Sequence, residues 1–299
     1  MAEKLKLKLN PDRTMADSIR TVAFDEVVEA VRLCCLAAAT KLPEDVLKSL
    51  QDALAKESNP LAKELIEQCL ENARIAREEN MPICQDTGFA VFFVEMGTMV
   101  RIDNGTIYEA ITEGTRRGYK DGFLRKSIVR DPLFVRKNTT DNTPPIIHLT
   151  MVPGDRINVI LAPKGGGSEN MSALKMLKPS DGRQGVVDFV TQTVINAGGN
   201  PCPPVIVGVG IGGTFEQAAL LAKKALLRKV NTPAEDAEYA DLEKEILQKI
   251  NASGVGPQGL GGDTTALAVH INHHPCHIAS LPVAVNINCH AARHAGFEL

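Results

Sequence analysis

Three cysteines restrict how this chain can fold, because each stands where a cysteine packs poorly and ligates well. They are Cys84 in MPICQDTG, Cys202 in NPCPP and Cys289 in NINCHAARH, and they lie far apart in sequence. Only a folded core that gathers three distant loops could let them act together. Pro82 precedes Cys84 by two residues and Gln85, Asp86, Thr87 and Gly88 follow it, while Pro201, Pro203 and Pro204 flank Cys202. The prolines predict an extended, non-helical backbone at Cys202. Three converging thiolates would satisfy a four-iron cluster at three irons and leave the fourth open, an arrangement for catalysis rather than electron transfer.

The other features leave room for such a site. A chain of 299 residues has ample core for one large domain, and its net charge of −3 gives no attraction to nucleic acid or to an anionic membrane. With no Trp and three Tyr, platforms for stacking bases are scarce. No apolar run approaches the roughly 20 residues of a spanning helix. The opening MAEKLKLKLNP alternates Lys with Leu and lacks the apolar segment and cleavage site of a secretory signal. Cytoplasm is therefore the expected compartment. Seven cysteines, an odd number, point there to reduced thiols rather than a disulfide framework.

Periodicity predicts a mixed α/β fold: a helical N-terminal part over residues 1–80, then an α/β part with mixed sheets over 81–299, in one domain. Ile19, Val22, Val27, Val28, Val31 and Cys35 recur at helical steps between Ala16 and Ala38. Further helices are expected from about Pro43 to Lys56 and Pro60 to Glu79, which makes Cys34, Cys35 and Cys69 core residues. Strands are expected at Phe89 to Met96, Ile146 to Met151, Ile157 to Leu161, Val205 to Val209, Leu267 to Ile271 and Val283 to Ile287. Helices near Gly185 to Asn196, Thr214 to Arg228 and Pro233 to Ile250 complete the pattern, the last two opened by Thr214/Gln217 and Thr232/Glu235 capping boxes.

Two glycine-rich segments and a histidine-rich tail offer competing readings. Gly165, Gly166 and Gly167 follow a strand and leave backbone N–H groups free to approach a small anion, although taken alone such a run is better explained as a tight turn. Gly208, Gly210 and Gly213 match GxGxxG, which would suit a nicotinamide-dependent oxidoreductase. The acidic residue expected about 20 residues later is missing, and close strand-to-helix packing accounts for these glycines. His270, His273, His274, His277, His290 and His294 crowd the last thirty residues. Zinc, or a metal-binding sensor, is the alternative there, but Pro275 disfavours helical pairing of His273 with His277. A pocket that holds a carboxylate and manages protons suits these imidazoles better.

Five motifs in order, MPICQDTG, KGGGSEN, NPCPPVIVGVGIGGTFEQAALLAKKALLR, GVGPQGLGGDTT and HIASLPVAVNINCHAARH, resemble the alpha region of class I, iron–sulfur-dependent fumarate hydratases and the related L-tartrate dehydratases. The resemblance covers nearly the whole chain. It implies a [4Fe-4S] cluster on Cys84, Cys202 and Cys289, with Cys276 outside the ligand set. It further implies that Gln85 and Asp86 contact a bound dicarboxylate, with Asp86 in proton transfer. Arg125 in GFLRKSIV would pair with a substrate carboxylate, Gly167 would offer a backbone N–H, and His277 would bind substrate. Asn138 to Asn142 resembles a loop near the pocket, although the family often has Gly where Thr140 stands.

The reaction so implied is reversible hydration of fumarate to malate, with the open iron as Lewis acid and cationic or N–H donors stabilising charge on the substrate. L-tartrate is the alternative substrate, and fumarate is favoured as the commoner activity. Single-chain members carry a beta region that supplies the catalytic base. This sequence ends ten residues after Cys289. The expectation is an alpha subunit that needs a beta subunit, in an α2β2 assembly.

Overall fold

The computed structural model describes residues 19–299 and has a mixed α/β architecture. The expected helix from Ala16 is shorter at its start: Ala16 to Ser18 lie outside the described residues, and Arg20–Val22 forms a strand, β1. Helix α1 (Phe24–Thr40) follows, its first N–H donated to the Asp103 carboxylate at 2.7 Å. Val22 is thus buried from a strand and not from a helix face. Helices α2 (Glu44–Lys56) and α3 (Pro60–Glu79) keep nearly the expected bounds. At α3 the Asn59 side chain accepts the Leu61 and Ala62 N–H groups, Pro60 opens the first turn, and Asn80 closes the helix at φ 53°.

Strands β2 (Phe89–Gly97), β3 (Val100–Ile102), β4 (Ile146–Val152) and β5 (Ile157–Lys164) come next, with helix α4 (Ile107–Asp121) between β3 and β4. β3 pairs in parallel with β1. Helix α4 is absent from the sequence expectations because Gly114 and Gly118 each weaken a helix by about 1 kcal/mol. Packing explains both. A Cβ at Gly114 would stand 2.6 Å from Val31 Cβ, and one at Gly118 2.6 Å from Cys35 Cβ. The glycines let α4 lie directly on α1, and the pair covers the first sheet, ordered β10-β5-β2-β4 with β10 at Ala295–Glu298. Phe92, Ile157, Val159 and Leu161 are fully buried beneath these helices, each such side chain contributing about 1.5–3 kcal/mol.

The second sheet has the order β6-β9-β7-β8, with β6 at Ala173–Leu177, β7 at Val205–Gly212, β8 at Ala266–His274 and β9 at Leu281–Asn288. β7 and β8 are parallel, and β9 is antiparallel to both β6 and β7. Helices α6 (Gly182–Ala197) and α8 (Ala237–Asn251) pack on one face through Val187, Val190, Ile246 and Ile250. Helix α7 (Phe215–Ala225) covers the other. A Cβ at Gly208 would fall 2.1 Å from Ala222 O, and one at Gly210 2.0 Å from Ala218 O. The GxGxxG glycines therefore lie largely inside β7 and admit α7, as the packing explanation requires.

Neither expected capping box forms. Thr214 precedes α7, but its hydroxyl bonds Glu216 and caps no N–H. Helix α8 starts at Ala237, four residues later than expected, because Asp236 accepts the Glu238 and Tyr239 N–H groups and outcompetes Thr232. A third core joins α2 and α3 to the ends of β7 and β8 through Leu50, Ile66, Ile206 and Leu267, with Cys84 and Cys289 at its edge.

Candidate active site

Strand register brings two of the three loop cysteines together. Ile206 of β7 pairs with Asn288 of β9, so Cys289 leaves the sheet beside the point where the Cys202 loop enters it. The His290 N–H donates to the Cys202 carbonyl at 3.3 Å, and His290 Nδ1 lies 3.0 Å from the same oxygen. Cys202 is not extended as its prolines suggest. Its φ is 52°, a left-handed turn closed by its N–H on Gly199 O at 3.0 Å. Gln258 supports this turn from behind. Its backbone and side-chain N–H groups both reach Pro203 O, at 2.8 and 2.9 Å, which assigns part of GVGPQGLGGDTT to holding Cys202.

The Cys84 loop arrives from the first sheet. Ile83 N–H bonds Ala39 O at 3.0 Å, and Asn72 donates to Ile83 O at 2.8 Å, so α1 and α3 fix its approach. Asp86 is held at both carboxylate oxygens: Oδ1 accepts Gly88 N–H at 3.1 Å and Oδ2 accepts Gly166 N–H at 2.7 Å. Gly166 begins α5 (Gly166–Glu169), a single turn after β5. A Cβ on Gly165 would approach Asp86 Oδ2 to 3.3 Å, and one on Gly167 would approach Asn200 O to 3.4 Å. The glycine loop thus bridges the Asp86 turn and the segment leading to Cys202. Beneath the turn, Tyr119 Oη donates to Thr87 O and Gly88 O, and the buried Asn142 donates to Gly88 O at 3.2 Å. Thr140, where the family often has Gly, sits at φ 72°, a conformation that favours glycine.

The three thiols share one electrostatic neighbourhood. Burial pushes Cys202 up, and Cys84 adds to the rise. Burial also raises Cys289, Arg293 opposes it, and Cys84 and Cys202 add to it. Cys69, a core residue as expected, stands close behind: burial first, then Cys289 and Cys202, push it up to about 11. Among the described residues no three His, Cys, Asp or Glu side chains are gathered tightly enough to hold a single metal ion. Three loop thiols are a soft donor set of the kind that metal–sulfur groups take.

Buried cations lie behind this wall. Lys164, 5 % exposed, donates to Ser168 Oγ at 2.8 Å and to Ile287 O at 2.7 Å, joining the glycine loop to the strand that leads into Cys289. Burial lowers Lys164 to about 8 against the pull of Glu169. Burial would raise Glu169, but Lys164 and Lys223 outweigh it and hold the carboxylate at about 2. Arg293 is buried as well and donates to Asp86 O. Lys164, Arg293, Gln258 and Tyr119 had no role in the sequence reading. A Lys closing the apolar run INVILAPK and an Arg in the small-residue turn CHAARH were the available signals.

Other expected site residues fall in two places. Gln85 and Gly167 are exposed beside Cys84 and Asp86, and Arg125 is exposed on a loop whose carbonyl accepts the Thr87 hydroxyl at 3.1 Å. His277 does not join them. It lies in the β8–β9 turn, beyond Gly212 and His274, and the eight residues of β9 put roughly 26 Å between that turn and Cys289 at about 3.3 Å per residue. His277, His273, His274 and Cys276 are all exposed, and His273 stacks on Tyr239 with ring centroids 4.1 Å apart.

The chain is similar to known proteins over most of its length. Residues 28–298 match the family model described as Fumarate hydratase (Fumerase). A protein of Methanocaldococcus jannaschii named "Putative L(+)-tartrate dehydratase subunit alpha" is 48% identical over 277 residues, 91% of this chain and 95% of that one. The L(+)-tartrate dehydratase subunits alpha of Escherichia coli and Shigella sonnei are each 31% identical over 281 residues, covering 93% of this chain and 92% of theirs.

Proposed function

This chain belongs to the fumarate hydratase family of hydro-lyases, and we propose that it is the alpha subunit of an iron–sulfur enzyme that adds water to, and removes it from, a four-carbon dicarboxylate. One observation carries the reading: hydrogen bonds tie the Cys289 loop to both the Cys202 loop and the Cys84 loop, beside an Asp86 carboxylate fixed by the glycine turn. The family is generally iron–sulfur dependent, and three thiols without a competing hard ligand suit a [4Fe-4S] cluster. When bound, that cluster supplies a Lewis-acidic iron free of protein ligands for the hydroxyl that departs or adds.

The chain's own residues then bind, orient and move protons. Arg125, exposed on the loop above Thr87, takes a substrate carboxylate through two parallel N–H bonds. Gly167 N–H and the Gln85 amide donate to the same anion. Asp86, aligned by Gly88 and Gly166, serves in proton transfer to or from the substrate. His277 Nδ1 accepts the Ala279 N–H at 3.1 Å, so in the neutral ring Nε2 bears the hydrogen and can donate it to substrate. Since β9 separates it from its own cysteines, His277 serves a site only where a second alpha chain presents it. An α2β2 assembly, with a beta chain supplying the base, accommodates that requirement.

Fumarate and malate are the first reading of the substrate. The names of the relatives favour a second, L(+)-tartrate. All seven cysteines are unpaired, in keeping with a reducing cytoplasm, and among the described residues no helix is long and apolar enough to cross a membrane. The test is anaerobic reconstitution with iron and sulfide, then assays of fumarate hydration and tartrate dehydration with and without a beta chain. Fumarate hydration only with the beta chain is expected. A higher kcat/KM for tartrate would select the second reading, and full activity of the chain alone would overturn the division between two subunits.

A further inference from the structure

Arg293 stands four residues past Cys289 and is 3 % exposed. Its Nη2 donates to the Asp86 carbonyl, two residues past Cys84, so one side chain ties the Cys289 loop to the Cys84 loop. Nε and Nη1 are also buried, and neither has a protein partner. A buried guanidinium with idle donors is costly and persists only where negative charge faces it. The nearby acceptors are already engaged. The Asp86 carboxylate is taken by Gly88 and Gly166, and the Thr87 and Gly88 carbonyls are taken by Tyr119. What remains beside it is the Cys289 loop, which Arg293 ends and ties to the Cys84 loop.

We infer that Arg293 is a positioning residue for the metal–sulfur centre: it fixes the spacing of the Cys84 and Cys289 loops and turns its two idle N–H groups toward the negative charge those loops hold. The inference rests on the reading of the three cysteines as cluster ligands. A four-iron core held by three thiolates is net negative, and a dry cation beside it favours both retention of the iron and acceptance of an electron. Lys cannot replace it fully, since an ammonium keeps the charge but cannot donate to Asp86 O while directing two further N–H groups elsewhere in one plane.

The experiment compares the full-length wild-type chain with Arg293→Gln and Arg293→Lys after anaerobic reconstitution. Iron and sulfide per chain, the rate of iron loss to a chelator, and the midpoint potential of the bound cluster are measured, with far-ultraviolet circular dichroism as a fold control. Arg293→Gln should lose iron about 10- to 100-fold faster, as removal of outer-shell partners does at metal sites. Its loaded fraction should show a lowered potential. Arg293→Lys should restore the potential more than the iron retention. A folded Arg293→Gln chain with wild-type potential and iron loss would overturn the inference, as would a lower melting temperature with an unchanged potential. If the wild-type chain itself takes up no iron, the cluster reading fails, and this role fails with it.

Discussion

At one end of the β6-β9-β7-β8 sheet, Cys202 and Cys289 sit among bonded carbonyls, a supporting Gln258 and the buried charges of Lys164 and Arg293. At the other end, His273, His274, Cys276 and His277 crowd a turn whose side chains are all exposed, with Ile278 beside them 92 % exposed. By composition the second end resembles a metal site more closely than the first. We propose the first as the site, because three separate loops are clamped there through hydrogen bonds between residues far apart in sequence. Residue type suggests chemistry, but fixed geometry is what makes a site.

That contrast can be broken most decisively by exchanging the sulfur at each end. Cys289→Ser should abolish the iron–sulfide absorption of the reconstituted chain, whereas Cys276→Ser should leave it intact; equal loss from both would erase the distinction. The next largest effect belongs to the charges behind the cysteine end. Lys164→Met leaves the part-exposed Glu169 with Lys223 alone and two acceptors, Ser168 Oγ and Ile287 O, unfilled, and a buried acceptor left without its donor costs about 1–3 kcal/mol. A denaturant midpoint unchanged from wild type would show that Lys164 does not join the glycine loop to β9.

Between the two ends, His270 in β8 is held down to about 4 by burial, then by Arg228. The folded chain keeps this ring neutral while the unfolded chain protonates it near about 6.5, so the stability it protects is fully present above that pH and declines as pH falls toward about 4. The loss amounts to roughly 3 kcal/mol. Urea midpoints across that range should drop for wild type and drop less steeply for His270→Gln, in which His294, also held down to about 4 by burial, still titrates. At the exposed end, His277→Ala should change stability by less than about 0.5 kcal/mol and leave iron content untouched. A drop in iron content would place His277 at the cysteine end after all.

Much of the fold was legible because apolar periodicity reports directly on buried faces. α2, α3 and the strands β2, β4, β5, β7, β8 and β9 all stand within a few residues of their expected places. α4 was hidden because Gly114 and Gly118, unfavourable for an isolated helix, are there for contact with α1. The late start of α8 follows from a cap, Asp236, that competed with an equally plausible Thr232. Of the candidate site, Asp86 stood out two residues past Cys84 and Gly167 in the glycine run KGGGSEN. Lys164, Arg293 and Gln258 were not, since each acts on a partner more than 50 residues away.

The order of motifs, the three cysteines in rigid loops and the helical and strand periods are local properties, written in neighbouring residues, and these the amino-acid sequence determined unaided. Which motifs meet was decided only by tertiary structure. The pairing of Ile206 with Asn288 places Cys202 and Cys289 at one end of a sheet, and the length of β9 carries His277 away from them. Proximity between distant residues depends on strand register and direction. A shift in either would leave every motif unchanged while dispersing the site.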